Sequence, residues 1–503
     1  MDLINDSNTS SAGREKPLVS RETFDYVGTP WAHQLEALER SKSLDNIALL
    51  HEVGTGKSFS AILIARYKMQ QAGGALRTLV ICPPIVVKNW QKEWKAHSHL
   101  KDHHILCLTG SGKQRLKLLE KYGDKAVVVI TNYQSLTLMP PLLKALKEWK
   151  PAIFIGDELH RAKSHNSKTA LKSAEMSAVA KYKIGLTGTP VLNTPMDLFG
   201  QYLVLDGGAT FGTNFFSFRA EYFWDVNHRM PSHIHFPKWE AREGSEKKLA
   251  DKISSTSMSV KKSECLDLPP YIREVIGVEL TPTQRKMYKE MAEDFVTYVD
   301  GKACVARLAL TKMLRLLQIT TGFISLEGAD GEGRTICSVK DNPRIKVLRE
   351  LLTDIEPGGK VIVWASFKQN YLDIAACCTS LGLSYVEVHG DISAKGKEAA
   401  VKAFQEEESV RILIGNQGAG GIGINLIQAP SSVFYSRNFS LEQDLQAEAR
   451  NYRGGSEIHA RITRYDLVAE NTIDEVVAER LAMKQAISNS IIGELARDVE
   501  KTI

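Results

Sequence analysis

Two α/β domains in tandem, each a parallel β-sheet covered by helices, are what this sequence predicts, on three observations. Short, β-branched apolar runs recur in two separate stretches of the 503-residue chain; segments of helical period lie between them; and the rhythm breaks over residues 206–270. The first set of runs is NIALL (46–50), RTLVICP (77–83), KAVVVITN (125–132), PAIFIGDE (151–158) and YKIGLTG (182–188). The second is KVIVWAS (360–366), LSYVEVHG (383–390), VRILIGN (410–416) and SSVFYSR (431–437). Runs so short and so apolar suit strands buried on both faces of a parallel sheet.

Taken in order, residues 1–20 are polar, lack the apolar core of a secretory signal and read as a disordered leader. The first domain is expected over 21–266, with SFSAILIARYKMQQAG and VKNWQKEWKAHSHL as crossover helices. Trp90 and Trp94 stand four residues apart on one face of the second of these and read as core packing rather than base stacking. Residues 206–270 hold several aromatics and glycines but no strand rhythm. Pro269, Pro270 and Pro282 then punctuate a new start, which sets the boundary near 267 and the second domain over 267–503. A helical stretch (284–321) and the Gly/Asp-rich LEGADGEGR (326–334) are expected to form an insertion at about 284–335.

Composition narrows the classes. Hydrophobic content of 43% and charged content of 24% are ordinary for a soluble globular protein. No run of about 18 uncharged apolar residues suggests a membrane span. Cys82, Cys107, Cys265, Cys304, Cys337, Cys377 and Cys378 form no CxxC pair, which argues against a disulfide framework or a structural zinc site. His228, His233 and His235 are the nearest thing to a metal cluster, with no further ligand type close by in sequence, so magnesium is the one metal expected. A net charge of +5 excludes a histone-like polybasic binder and leaves room for a local basic groove.

IALLHEVGTGKSFSAILIA reads as strand, glycine-rich turn and helix. Gly54 and Gly56 let the backbone bend so that successive N–H groups face a phosphate, and the helix adds its positive end. Lys57 can reach the β and γ phosphates, and the Ser58 hydroxyl can ligate Mg2+. The general pattern would place glycine where this chain has His51. PAIFIGDELH is an apolar strand ending in two acids: Asp157 suits magnesium and Glu158 suits orienting or deprotonating the attacking water.

The order GKS, DELH, LTGTP resembles helicase superfamily two, and specifically its Snf-type branch of chromatin remodellers and DNA translocases, from about residue 29 to 485. TPWAHQLEAL is similar to the adenine-reading segment, with Gln34 as reader, and HEVGTGKS to the branch's acidic phosphate loop, which adds Thr55. LVICPPIVVKNWQKEW and VVITNYQSL resemble its nucleic-acid motifs, and LTGTPVLNTPMDLFGQYLVL the motif coupling hydrolysis to movement. SMSVKKSECLDLPPYIREV looks like the crossover between lobes. KVIVWASF, VHGDIS and GNQGAGGIGINLIQA match second-lobe motifs in order, DLQAEARNYRGG resembles the final motif, and NTIDEVVAERLAMK the closing helix. Ala449, Tyr452, Gly454-Gly455-Ser456, Gln417 and Gly418 depart from the remodellers' pattern and imply a divergent, minimal member of viral, phage or bacterial type.

The resemblance implies two RecA-like lobes with ATP in the cleft between them. Lys57, Asp157, Glu158, Gln446, Arg450 and Arg453 would be catalytic, the last two as arginine fingers. Gln34, Gly54, Thr55, Gly56, Ser58 and Gly423 would hold nucleotide, with Ser58 and Asp157 on Mg2+. Thr187, Gly188 and Thr189 would couple the lobes. Pro83, Pro84, Lys88, Thr131, Asn132, Ser366, Gly418, Gly420 and Gly421 would contact nucleic-acid phosphates, with Lys163 adding charge. The function implied is an ATP-dependent translocase or helicase on duplex or branched DNA, acting in replication, recombination or repair. An RNA helicase and a non-stepping ATP-dependent switch are the alternatives. The expected setting is intracellular: a monomer with DNA and replication or recombination proteins, in the cytoplasm of a bacterial or virus-infected cell, the nucleus left open, and away from membranes.

Overall fold

The structure, a computed structural model, describes residues 26–230, 235–294, 296–299, 302–305, 309–327, 334–355, 359–418 and 424–500. The leader expected over 1–20, His233, Gly420, Gly421 and Gly423 lie outside them. The first strands are β1 (Asn46–His51), β2 (Thr78–Cys82), β3 (Ile105–Cys107), β4 (Val128–Asn132), β5 (Ile153–Asp157) and β6 (Tyr182–Leu186). A short hairpin, β7 (Phe223–Asp225) and β8 (Trp239–Ala241), precedes β9 (Ser257–Val260) and β10 (Tyr271–Val278). Two more hairpins follow: β11 (Val296–Val299) with β12 (Lys302–Val305), and β13 (Phe323–Glu327) with β14 (Arg334–Ser338). The last strands are β15 (Val361–Ala365), β16 (Tyr385–Val388), β17 (Ile412–Asn416), β18 (Ser431–Phe434) and β19 (Ile462–Ala469).

Contacts divide the chain into two compact units. The first holds the described part of Met1–Ile47, Ser58–Asp157 and Lys172–Gly185. Its strands run in the order β3-β4-β2-β5-β6, with the registers of β3, β4, β2 and β5 parallel. Every residue of β2 and β4 is buried, which explains why the sequence shows continuous apolar runs here rather than alternation. The helix Val87–His97 buries Trp90 and Trp94 completely, as packing side chains do.

The second unit holds Ala48–Lys57, Glu158–Leu171 and the described part of Leu186–Ile503. In it the end of β1 pairs in parallel with β9, Ala48 opposite Ser257 through His51 opposite Val260. The chain then passes to a six-stranded sheet of order β10-β19-β18-β15-β17-β16, whose pairings are parallel. Val361, Val363, Ile412 and Ile414 enter one apolar cluster; Ile362, Trp364, Leu413 and Phe434 enter another on the opposite face. Period-2 alternation therefore distributes the same strands between two cores.

Each of the nine expected runs contains a strand. The insertion differs from its expectation. The stretch 284–321 holds two helices, Pro282–Asp294 and Ala309–Thr320, separated by the β11/β12 hairpin, and the Gly/Asp-rich segment joins β13 to β14. Strand β19 had no counterpart in the reading, because ITRYDLVA carries Arg464 and Asp466 at positions that are fully buried. No described helix is long and apolar enough to cross a membrane.

Candidate nucleotide site

Strand β1 ends in the fully buried His51, and the loop after it turns on Gly54 (φ +97°) and Gly56 (φ +75°). Both lie in the left-handed region that favours glycine. A Cβ at Gly54 would also stand 3.3 Å from the Cβ of Arg453, so glycine here admits the close approach of that residue. The buried Thr55 hydroxyl donates to the Glu52 carbonyl at 2.8 Å and tightens the turn. Lys57 Nζ donates to the carbonyls of His51 (2.8 Å) and Glu52 (3.0 Å), which holds the ammonium over the loop. Ser58, half-buried, follows it in the first turn of the helix Lys57–Gln71.

At the end of β5, Asp157 accepts a 2.8 Å hydrogen bond from Trp90 Nε1, a contact beyond the packing role expected of that indole. Glu158 sits at φ +53°, ψ +54°, a left-handed conformation that costs a non-glycine residue roughly 1 kcal/mol or more. His160, buried, places Nδ1 3.3 Å from Glu158 Oε2 and 2.9 Å from Thr187 Oγ1. The Thr187 hydroxyl accepts the Thr189 N–H at 3.1 Å. A Cβ at Gly188 would meet Val53 Cγ2 at 2.9 Å, so the LTGTP turn needs glycine to pass the phosphate loop. His160 thus joins the acid to the segment expected to couple.

The helix Leu441–Glu448 carries Gln446, whose Nε2 donates to Glu442 Oε1 at 3.4 Å. Glu442 Oε1 also stands 3.3 Å from His160 Nε2 and 3.4 Å from Arg161. Burial alone would raise the Glu442 carboxyl, but His160, Arg161 and Lys163 hold it down at about 2. Arg450 is buried, and its Nε has no hydrogen-bond partner among the described residues. Burial, reinforced by Arg453 and opposed by Glu158, lowers its guanidinium to about 10.

Lys262 is a residue sequence reasoning missed. Its backbone N–H donates to Glu52 Oε2 at 2.8 Å, and its Nζ donates to the Tyr452 carbonyl at 3.2 Å while lying 5.1 Å from that ring's centroid. Burial lowers its pKa, with Glu448 and Glu52 opposing. Tyr452 packs 4.5 Å from Tyr271, whose hydroxyl donates to Glu448 at 2.8 Å. The available signal was Tyr452 itself, a departure from the family pattern. The sequence offered no means to tell Lys261, half-buried, from Lys262, buried.

The other predicted residues each have their own local surroundings. Gln34 is buried, and its Oε1 accepts the Trp31 N–H at 2.8 Å, capping the helix Ala32–Ser41. Thr131 and Asn132 are buried; Asn132 Oδ1 accepts the Ser135 N–H at 3.1 Å, and Thr131 Oγ1 lies 2.8 Å from Ser135 Oγ. Pro83 is buried, Pro84, Lys88 and Gly418 are exposed, and Ser366 and Lys163 are half-buried. His228 Nδ1 lies 2.9 Å from the Asp225 carbonyl and His235 Nε2 2.7 Å from its carboxylate. Among the described residues no group of three or more His, Cys, Asp or Glu is set to hold a metal.

Residues 32–322 match the family model described as SNF2-related domain, and residues 343–455 the helicase conserved C-terminal domain. Chromodomain-helicase-DNA-binding protein 1-like of Danio rerio is 24% identical over 90% of this chain and 42% of its own length. The DNA repair and recombination protein RDH54 of Saccharomyces cerevisiae (strain JAY291) is 23% identical over 91% and 52%. Putative protein p41 of Acyrthosiphon pisum secondary endosymbiont phage 1 is 26% identical over 88% and 94%. The chain therefore spans about half or less of the length of the first two relatives. The Sulfolobus solfataricus SWI2/SNF2 ATPase core in complex with dsDNA is 23% identical, covers 93% of this chain and 94% of that one, and has a TM-score of 0.42.

Proposed function

The chain belongs to the SNF2-related family, with a helicase C-terminal domain, and on that premise we propose that it is a DNA-stimulated ATPase that moves along duplex or branched DNA. The observation that carries the reading is Arg450: a buried guanidinium whose charge the protein does not fully balance, with Arg453 beside a phosphate-loop glycine. Such a group is costly unless an anion arrives. A nucleoside triphosphate on the loop would supply one.

In this reading Lys57 exchanges its loop carbonyls for the β and γ phosphates. Glu158, held by His160, orients the attacking water and accepts its proton. Arg450 and Arg453 neutralise charge developing on the transferred phosphoryl group, a contribution of roughly 1,000- to 100,000-fold in rate. The hydroxyl of Ser58 and carboxylate of Asp157 are the oxygen donors a hard cation prefers; they would hold Mg2+, which when bound screens the phosphate charges. His160 gives the coupling segment 187–189 a direct link to the acid. The kinship with a DNA repair and recombination protein supports DNA as the track, and phosphate contacts predict little sequence preference. The setting we propose is intracellular, the chain acting as a monomer beside replication or recombination proteins.

Steady-state ATP hydrolysis with no nucleic acid, single-stranded, duplex and forked DNA, and RNA, beside Glu158→Gln as the blank, tests this reading. Stimulation by duplex or forked DNA that the variant lacks is expected. Stimulation by RNA alone would replace it with an RNA helicase. No stimulation by any of them would replace it with a switch that clamps a partner.

A further inference from the structure

The segment that lost the strand rhythm builds a pocket of its own. The helix Phe215–Tyr222, capped by Asn214 through Phe216 and Ser217 N–H, packs beside the β7/β8 hairpin. They enclose an open cavity of about 430 Å³, lined by Phe216, Arg219, Trp224, His228, Trp239 and Arg242 among others. The Arg219 guanidinium lies 3.9 Å from the Trp239 ring centroid and 5.2 Å from that of Phe216. Its side chain donates no hydrogen bond and forms no ion pair among the described residues, although it is half-buried. The lining carboxylate, Asp225, is already engaged by His235 at 2.7 Å, Lys238 N–H at 2.8 Å and Asn227 N–H at 3.0 Å. Phe216 and Trp224 stand 65% and 40% exposed. The walls are thus flat and aromatic, and the uncommitted polar group is a cation with donors in one plane.

The geometry points to a second nucleic-acid site, in which this pocket takes an unpaired nucleotide of single-stranded or branched DNA. The base lies against Phe216 and Trp224, and its phosphate takes the Arg219 N–H groups. A base in a duplex is covered by its neighbours and cannot enter, so the pocket distinguishes an open strand from a closed one. This rests on the DNA-motor reading above.

The pocket is also wired to the acidic loop. Phe215 stacks on His165 with ring centroids 3.5 Å apart and planes 7° from parallel. Burial and the Arg219 charge lower the His165 pKa, which favours a neutral ring in that stack. Helix Asp197–Asp206 packs its Gly200 directly on the loop backbone, where a Cβ would fall 2.1 Å from the Ala162 carbonyl. His165 and Ala162 both lie within a few residues of Glu158.

Fluorescein-labelled oligo(dT) and a blunt duplex, each titrated with the full chain, test the site, with tryptophan emission recorded in the same titration. Arg219→Ala and Trp224→Ala are each expected to weaken oligo(dT) binding about tenfold, as loss of one base-stacking or cation contact does. Blunt-duplex affinity and duplex-stimulated hydrolysis should stay as in the wild type, which also reports that the variants fold. Unchanged oligo(dT) affinity in both variants would overturn the proposal. So would a wild type that hydrolyses ATP on duplex yet neither binds oligo(dT) nor changes its emission, the result expected if the pocket serves a protein partner. Absence of duplex-stimulated hydrolysis in the wild type would instead sink the motor reading, and the variant comparison on oligo(dT) would still decide the pocket.

Discussion

Arg450 and Arg464 lie close in sequence and are both buried, yet their surroundings are opposite. Arg464, in β19, meets Asp444 at 2.9 and 3.0 Å, Asp466 at 2.8 Å and Glu448 at 3.1 Å, and stacks 3.6 Å from the Phe434 ring centroid. Burial opposes its charge, but these carboxylates raise its pKa well above the ordinary value. Arg450 is pushed the other way, with Arg453 as a like charge and Glu158 as the opposing one. The same buried side chain is therefore cross-linked by carboxylates in one place and left with little opposing charge in the other. The difference lies in the carboxylates around it, and under the proposed function it separates a residue that holds the fold from one that meets the nucleotide.

The comparison is broken most severely at Arg453, the second of the two proposed arginine fingers. Arg453→Ala should lower the ATP turnover rate by roughly 1,000-fold or more while ATP still binds. Nucleotide affinity falling in step with the rate would remove the finger role. Arg464→Met should leave Asp444 buried without its cation, with Asp466 keeping Arg273 and Arg437, and destabilise the fold by about 3–5 kcal/mol, read from denaturant unfolding. A stability unchanged by that substitution would mean the two arginines differ less than their partners suggest.

Lys262→Met sharpens the contrast between them. By removing the ammonium that ties the Tyr452 carbonyl to the phosphate loop, it should lower kcat about tenfold, equivalent to ~1.4 kcal/mol of lost positioning, with KM for ATP little changed. A rise in KM alone would assign Lys262 to ground-state binding. The smallest effect is expected at Glu442. Its folded pKa of about 2 lies below the ordinary glutamate range of about 4.3, so its pairing stabilises the protein above that range. That contribution should fade as pH falls from about 4.3 towards 2. Glu442→Gln should flatten this part of a melting-temperature profile against pH; an unaltered slope would show that other carboxylates carry it.

Much of the architecture was legible because it is written locally. A run such as TLVIC or VVITN is apolar along its whole length because both faces of the sheet are covered, and a neighbour-by-neighbour reading detects that. The same holds for the turn at Gly54 and Gly56 between a buried strand and a helix, and for two acids at the end of β5. The short hairpins were not legible, since strands of three to five residues carry too few positions for a period to declare itself. Asn132 reads as a phosphate contact by motif order; that its carboxamide also caps the helix Tyr133–Leu138 was not legible.

By itself, then, the sequence determined the paired parallel sheets, the glycine-rich turn after β1, the acidic pair and the family, all of which depend on residues within a few positions of one another. Tertiary structure alone decided that ITRYDLVA could be a strand, that Lys262 rather than Lys261 would be buried beside the loop, and that Arg219 would stand in an aromatic pocket whose one carboxylate, Asp225, is engaged by other partners. Those outcomes depend on partners far along the chain: Glu52 is 210 residues from Lys262, and Asp444 is 20 from Arg464. A charge is tolerated in the interior, or left in wait there, according to what the fold brings beside it.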